Sequence, residues 1–120
     1  MVRMMVRAAD RAARRRRQIR YAPLFAALGD PTRLALVDEL ADGEPRSIAA
    51  LTEGTRLTRQ AVTKHLRVLE EVRLVHSTRA GRESLYRLDP APMRDVREYA
   101  ELVSAHWDRA LGRLKAFVEG

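Results

Sequence analysis

Cysteine is absent from this 120-residue chain, which excludes a disulfide framework and every thiolate metal site and fits a reducing cytoplasm. Aromatic residues are few, with one Trp, two Phe and three Tyr, and the length allows one domain with a modest core. No apolar run approaches the roughly 20 residues needed to span a bilayer, so a soluble protein with no membrane partner is expected. The N-terminal charges enclose no apolar signal core, so secretion is not expected either. Enzymatic signatures are missing too. There is no Cys nucleophile, no phosphate-cradling Gly-rich loop and no Gly-x-Ser-x-Gly turn, and the three His fall in no metal-ligand spacing. Neither a catalytic role nor a cofactor is expected.

Acid is scarce in two places, and the net charge of +7 is therefore uneven. Residues 1–20 hold eight Arg against Asp10 alone, a net of +7. Residues 21–55 hold two Arg against six acids, a net of −4, and residues 56–87 hold eight basic groups against three acids, a net of +5. Residues 88–120, with five against six, come to −1. A neutral body with one basic segment places a polyanion-binding face on residues 56–87. Residues 1–20, with Arg14 to Arg17 adjacent, are expected as a frayed or disordered basic arm. That arm is either a further contact to DNA phosphates or a dispensable extension.

Residues 57–69 carry the basic face. Val62, Leu66, Leu69 and Val72 fall on one helical stripe, and Arg59, Gln60, Thr63, Lys64 and Arg67 fall on the opposite side. A helix packed on one side and dressed with cationic and amide groups on the other suits the DNA major groove. Taken alone, it would also suit an ordinary solvated face. Thr58 is its expected N-cap. His65 lies between the faces, placed for core packing or a phosphate hydrogen bond rather than for a metal.

Upstream, a first helix is expected over Ala22–Leu28. Gly29 ends it, Asp30 caps the next, and Pro31 takes that helix's first position. The second helix, to about Ala41, is expected to bury Leu34, Leu36, Val37 and Leu40. Arg33 is expected to pair with a neighbouring acid. A short third helix over Ser47–Glu53 buries Ile48 and Leu51. After Val72 the period changes from 3.6 to 2, giving strands Leu74–Arg79 and Glu83–Leu88 around Gly81. Arg79 and Arg82 flank that turn, placed for phosphate or the minor groove, or simply solvated. A last helix, about Met93–Val118, follows Asp89-Pro90-Ala91-Pro92. Its stripe of Tyr99, Val103, His106, Trp107, Ala110 and Leu114 is too wide for one small domain and suits a helix–helix dimer seam. A small-molecule pocket between subunits, lined by Tyr99, His106 and Trp107, is the alternative.

The expected fold is mainly α with a small β-hairpin, a winged helix-turn-helix over residues 21–120. In it the helix of residues 58–71 enters the major groove and the hairpin reaches adjacent backbone or minor groove. Ala27-Leu28-Gly29-Asp30-Pro31-Thr32-Arg33-Leu34, then Leu57 to Leu66, then Gly81-Arg82 with Tyr86-Arg87-Leu88, resemble the ArsR (arsenic repressor) family in order and spacing over about residues 21–118. The resemblance implies a homodimeric repressor, paired through its first and last helices and bound to double-stranded DNA at a two-fold symmetric operator. The family's thiolate pair would fall at Ser47 and Ala49, and its last-helix metal pairs at Asp95/Arg97 and His106/Arg109. None of these sets suits a metal. The chain is closer to a metal-independent branch, similar around Gly43 to Ile48 and from Trp107 to Leu114, whose genes often adjoin one for a START-like protein. That association implies a regulatory partner or a linked pathway; any small-molecule or protein effector is of unknown identity. Where the family has Ala-Gly this chain has Val72-Arg73, at a cost of about 1 kcal/mol if Arg73 adopts a left-handed conformation. Arg56 likewise replaces a common Gly. The rival readings are a winged-helix protein that coats DNA without sequence preference and one that binds a protein partner.

Overall fold

The computed structural model describes residues 2–120 and runs α1 (Val2–Leu28), α2 (Pro31–Glu39), β1 (Arg46–Ser47), α3 (Ile48–Thr52), α4 (Arg59–Glu71), β2 (Val75–Ala80), β3 (Glu83–Leu88) and α5 (Pro90–Glu119). Among the described residues no helix is long and apolar enough to cross a membrane.

Helix α1 is longer than the sequence led us to expect. Residues 2–20, expected as a frayed arm, are helical and continuous with residues 21–28. Arg and Ala are among the strongest helix formers, while exposed like charges cost only a few tenths of a kcal/mol per pair and are screened by salt. Propensity therefore outweighs repulsion. Asp10 and Arg14, one turn apart, pair at 2.6 Å.

The punctuation between α1 and α2 follows the expected chemistry. Asp30 is the N-cap of α2, its carboxylate accepting from the Arg33 amide at 3.0 Å, and Pro31 occupies the first turn. That backbone hydrogen bond, with the Arg33 charge adding to it, holds the Asp30 carboxyl below its ordinary value. Helix α2 buries Leu36 and Val37, and its C-cap Leu40 is buried with them, but Leu34 is 48% exposed. Leu34 lies off the stripe formed by 36, 37 and 40, so the expectation that it is buried fails on helical geometry.

The core gathers Tyr21, Leu24 and Ala27 of α1, the α2 stripe, Leu51 of α3, Val62, Leu66 and Leu69 of α4, Leu74 and Val75, and Tyr86 of β3. Helix α5 contributes no fully buried residue; Met93, Val96 and Tyr99 pack against the core from outside. Burial of its phenol raises the Tyr86 pKa.

The sheet has three strands in the order β1-β3-β2. The hairpin is in register from Val75 opposite Leu88 to Ala80 opposite Glu83, which leaves Gly81 and Arg82 as a two-residue loop with Gly81 at φ 64°. β1, unexpected from the sequence, adds Arg46 opposite Tyr86 and Ser47 opposite Leu85. It anchors the wing to the start of α3.

Helix α4 ends in a Schellman motif. The Leu74 amide donates to Leu69 O at 3.0 Å and the Arg73 amide to Glu70 O at 2.9 Å. Arg73, between them, sits at φ 62°, the one left-handed non-glycine among the described residues. Arg73→Gly is expected to raise unfolding stability by about 1 kcal/mol. Chemical denaturation measures this, and an unchanged midpoint would mean that Arg73 carries no strain.

Candidate nucleic-acid interface

The N-terminal half of α4, the start of α3 and the wing enclose an open groove of about 800 Å³. Thr58, Arg59, Gln60, Thr63, Lys64 and Arg67 line one wall, Ser47, Ile48 and Ala49 another, and Arg82, Glu83 and Ser84 the wing side. Seven of the eight residues expected at a DNA face thus share one concave surface. Arg79 does not line it; it sits on β2 opposite Ser84, exposed beside the loop. The α3 wall and the flanking Glu83 and Ser84 were not expected from the sequence, although Ser47 announces itself as an N-cap.

Local chemistry builds this surface. Val62, Leu66 and Leu69 are fully buried and fix which side of α4 faces out. Thr58 caps the helix, its Oγ1 accepting from the Ala61 amide at 3.1 Å. Its hydroxyl proton stays available for a phosphate oxygen. Thr63 differs, since its hydroxyl already donates to Arg59 O at 2.7 Å and offers an acceptor only. Two helix N-termini, those of α3 and α4, border the groove.

The cations of the groove are uncommitted. Arg14, Arg20, Arg46 and Arg97 each pair with a carboxylate, whereas among the described residues Arg59, Lys64, Arg67 and Arg82 do not. Unpaired positive side chains gathered around one groove suit a polyanion.

Arg33 departs from expectation. Only its backbone amide meets Asp30; its guanidinium donates to Ala27 O at 2.7 Å and Ala26 O at 3.3 Å and lies 3.4 Å from His65 Nδ1. The open carbonyls ending α1 take this guanidinium, and the half-buried Asp30 carboxylate takes the amide.

The residues expected at a dimer seam lie along α5. Tyr99 is half-buried against its own chain, its ring centroid 5.3 Å from that of Tyr21 and 5.2 Å from that of Phe25. Ala110 is half-buried and His106 exposed. Val103, Trp107 and Leu114 are 47%, 64% and 58% exposed, and Leu111, Phe117 and Val118 extend the open row.

A buried helical core that presents a basic helix beside a two-stranded wing defines a winged helix-turn-helix DNA-binding protein. A helix-turn-helix domain model matches residues 28–78. The HTH-type transcriptional regulator Rv2034 of Mycobacterium tuberculosis is 39% identical over 87 residues, which cover 72% of this chain and 78% of that protein. A transcriptional repressor SmtB homolog from Synechocystis is 38% identical over 81 residues, covering 67% of this chain and 61% of that one. Among solved structures, an ArsR-like transcriptional regulator from Rhodococcus superposes with a TM-score of 0.74 at 35% identity, covering 85% of this chain and 93% of its own. The chain belongs to the ArsR family of winged helix-turn-helix transcriptional regulators, a family of DNA-binding proteins and not of enzymes.

Proposed function

We propose that this regulator is a homodimeric, metal-independent repressor that reads a two-fold symmetric operator. The observation that carries the reading is the groove. Arg59, Gln60 and Lys64 stand on the exposed first turns of α4, and Arg82 faces them from the wing. Bidentate Arg and Gln contacts suit guanine and adenine edges, while Lys64 and Arg82 suit phosphates. Repression accords with the SmtB homolog's description as a repressor. In the mechanism, two α4 helices enter successive major grooves, the wings grip flanking backbone, and occupancy blocks the promoter.

Dimerisation is supported by the uncovered row on α5 from Val103 to Val118, which a second copy would bury. The arginines of α1 between Arg3 and Arg17 are a further DNA-phosphate contact in this reading. Metal independence rests on side-chain chemistry. Where metal-sensing relatives place ligands this chain has Ser47, the N-cap of α3, then Ala49, and in α5 Arg97, bound to Glu101 at 3.0 Å, and Arg109. A permanent cation repels a metal, so no step of this mechanism involves one.

Arg82→Ala tests the wing. It is expected to weaken operator and random DNA about equally. The log–log salt dependence of a dimer should become shallower by about 2, one for each phosphate that an Arg82 side chain no longer neutralises. An anisotropy titration at several salt concentrations reads both, and an unchanged slope would remove the wing from the interface.

A further inference from the structure

We propose that Arg33 is a positioning residue for the recognition helix α4, acting through His65; this rests on the reading of α4 as the groove-reading helix. The C-terminus of α1 is incomplete on its own. Gly29 donates to Ala26 O at only 3.3 Å, and the last carbonyls of α1 need further donors. They receive them from Arg33, which reaches back to Ala27 O at 2.7 Å and Ala26 O at 3.3 Å. The remaining arm of the same guanidinium lies 3.4 Å from Nδ1 of His65 on α4.

Three helices therefore meet at one side chain: α2 supplies it, α1 is capped by it and α4 is touched by it. A guanidinium has donors and no acceptor, so in this contact Nδ1 of His65 is placed as the acceptor. Asp30 Oδ2, 3.8 Å from the same Nδ1, also accepts from the Arg33 amide and closes the cluster from the α2 side. His65 directly follows Lys64 and precedes the fully buried Leu66. Val62, Leu66 and Leu69 fix which side of α4 faces out; a tie at this position trims that rotation, and with it the angle at which Gln60 and Lys64 enter a groove. Because the tie ends on α1, which packs against α5 through Tyr21, Phe25 and Tyr99, it also joins the recognition helix to the long helical pair.

A helix turned slightly out of register keeps its charges near phosphates but loses base edges, so discrimination should suffer where non-specific affinity does not. The test uses a site selected from a random-sequence library by the full-length wild-type protein, with scrambled DNA of equal length as reference. His65→Phe, which packs but cannot accept, is expected to lose about tenfold on the selected site and less than twofold on scrambled DNA. His65→Gln, which restores an acceptor, should recover to within about threefold of wild type. Arg33→Gln should cost at least threefold less in the His65→Phe background than in wild type, the non-additivity expected of groups in direct contact. All titrations are run well below the melting temperature, with circular dichroism confirming the fold. If Arg33→Gln does not fold, the two His65 variants decide alone. Wild-type discrimination in folded His65→Phe, or equal loss in His65→Phe and His65→Gln, would overturn the proposal. If the wild-type protein itself selects no site, sequence-specific reading fails first and this inference falls with it.

Discussion

Trp107→Arg is expected to convert the protein to a monomer and to lower its affinity for a full operator by about a hundredfold or more. Trp107 is 64% exposed in the single chain, an unusual position for the one tryptophan of the sequence. Burying most of a large aromatic contributes on the order of 2–3 kcal/mol, and a two-fold interface counts it twice. Arginine removes that gain and places an unpaired cation in the proposed seam, beside the exposed Val103, Leu111 and Leu114. The cost of desolvating such a charge is several kcal/mol. Loss of the dimer then separates two half-site binding events that were joined, and joining is worth roughly 10²–10⁴ in affinity. Sedimentation velocity and an operator titration read the two effects separately. A variant that remains a dimer would remove α5 from the interface. A monomer with unchanged affinity would show that DNA reading does not require pairing.

The second large effect concerns base reading. Gln60→Ala is expected to cost about 1–3 kcal/mol on a specific site and little on random DNA. Gln60 lines the groove between Arg59 and Ala61 in the first turn of α4, and its amide carries no charge to attract phosphate. What it adds is a paired donor and acceptor that matches adenine. Arg59 and Lys64 attract any duplex, so their removal would show on both DNAs. Equal losses on both DNAs for Gln60→Ala would defeat the assignment of α4 as the reading helix.

Much of this arrangement was legible in the sequence because it is local. The 3.6-residue spacing of Val62, Leu66 and Leu69 fixed the buried side of α4 and therefore its exposed side. Thr58, Asp30, Pro31 and Gly81 carry turn and cap chemistry that acts within three residues, and each sits where that chemistry predicts. The failures share a different character. β1 has two residues, too few for any period to register. Arg33 was assigned to an acid because acids are its sequence neighbours, whereas its partners are carbonyls six and seven residues back and a ring 32 residues ahead. The helicity of residues 2–20 turned on a balance between propensity and repulsion in which both contributions are small. The α3 wall of the groove is created by packing α3 beside α4, and Ser47 to Ala49 carry no charge to advertise it.

In the proposed function the groove reads a specific duplex without help from a metal. Its most direct test is an anisotropy titration of the purified protein on a site recovered by random-library selection, against scrambled DNA, with and without a chelator and over a range of salt. A preference of at least about a hundredfold, unchanged by chelator, is expected. The log–log salt slope is expected to be about −5 to −9, from roughly 6–10 neutralised phosphates per dimer. Equal binding to both DNAs would make the protein a non-specific DNA coat, and a preference that disappears with chelator would contradict metal independence.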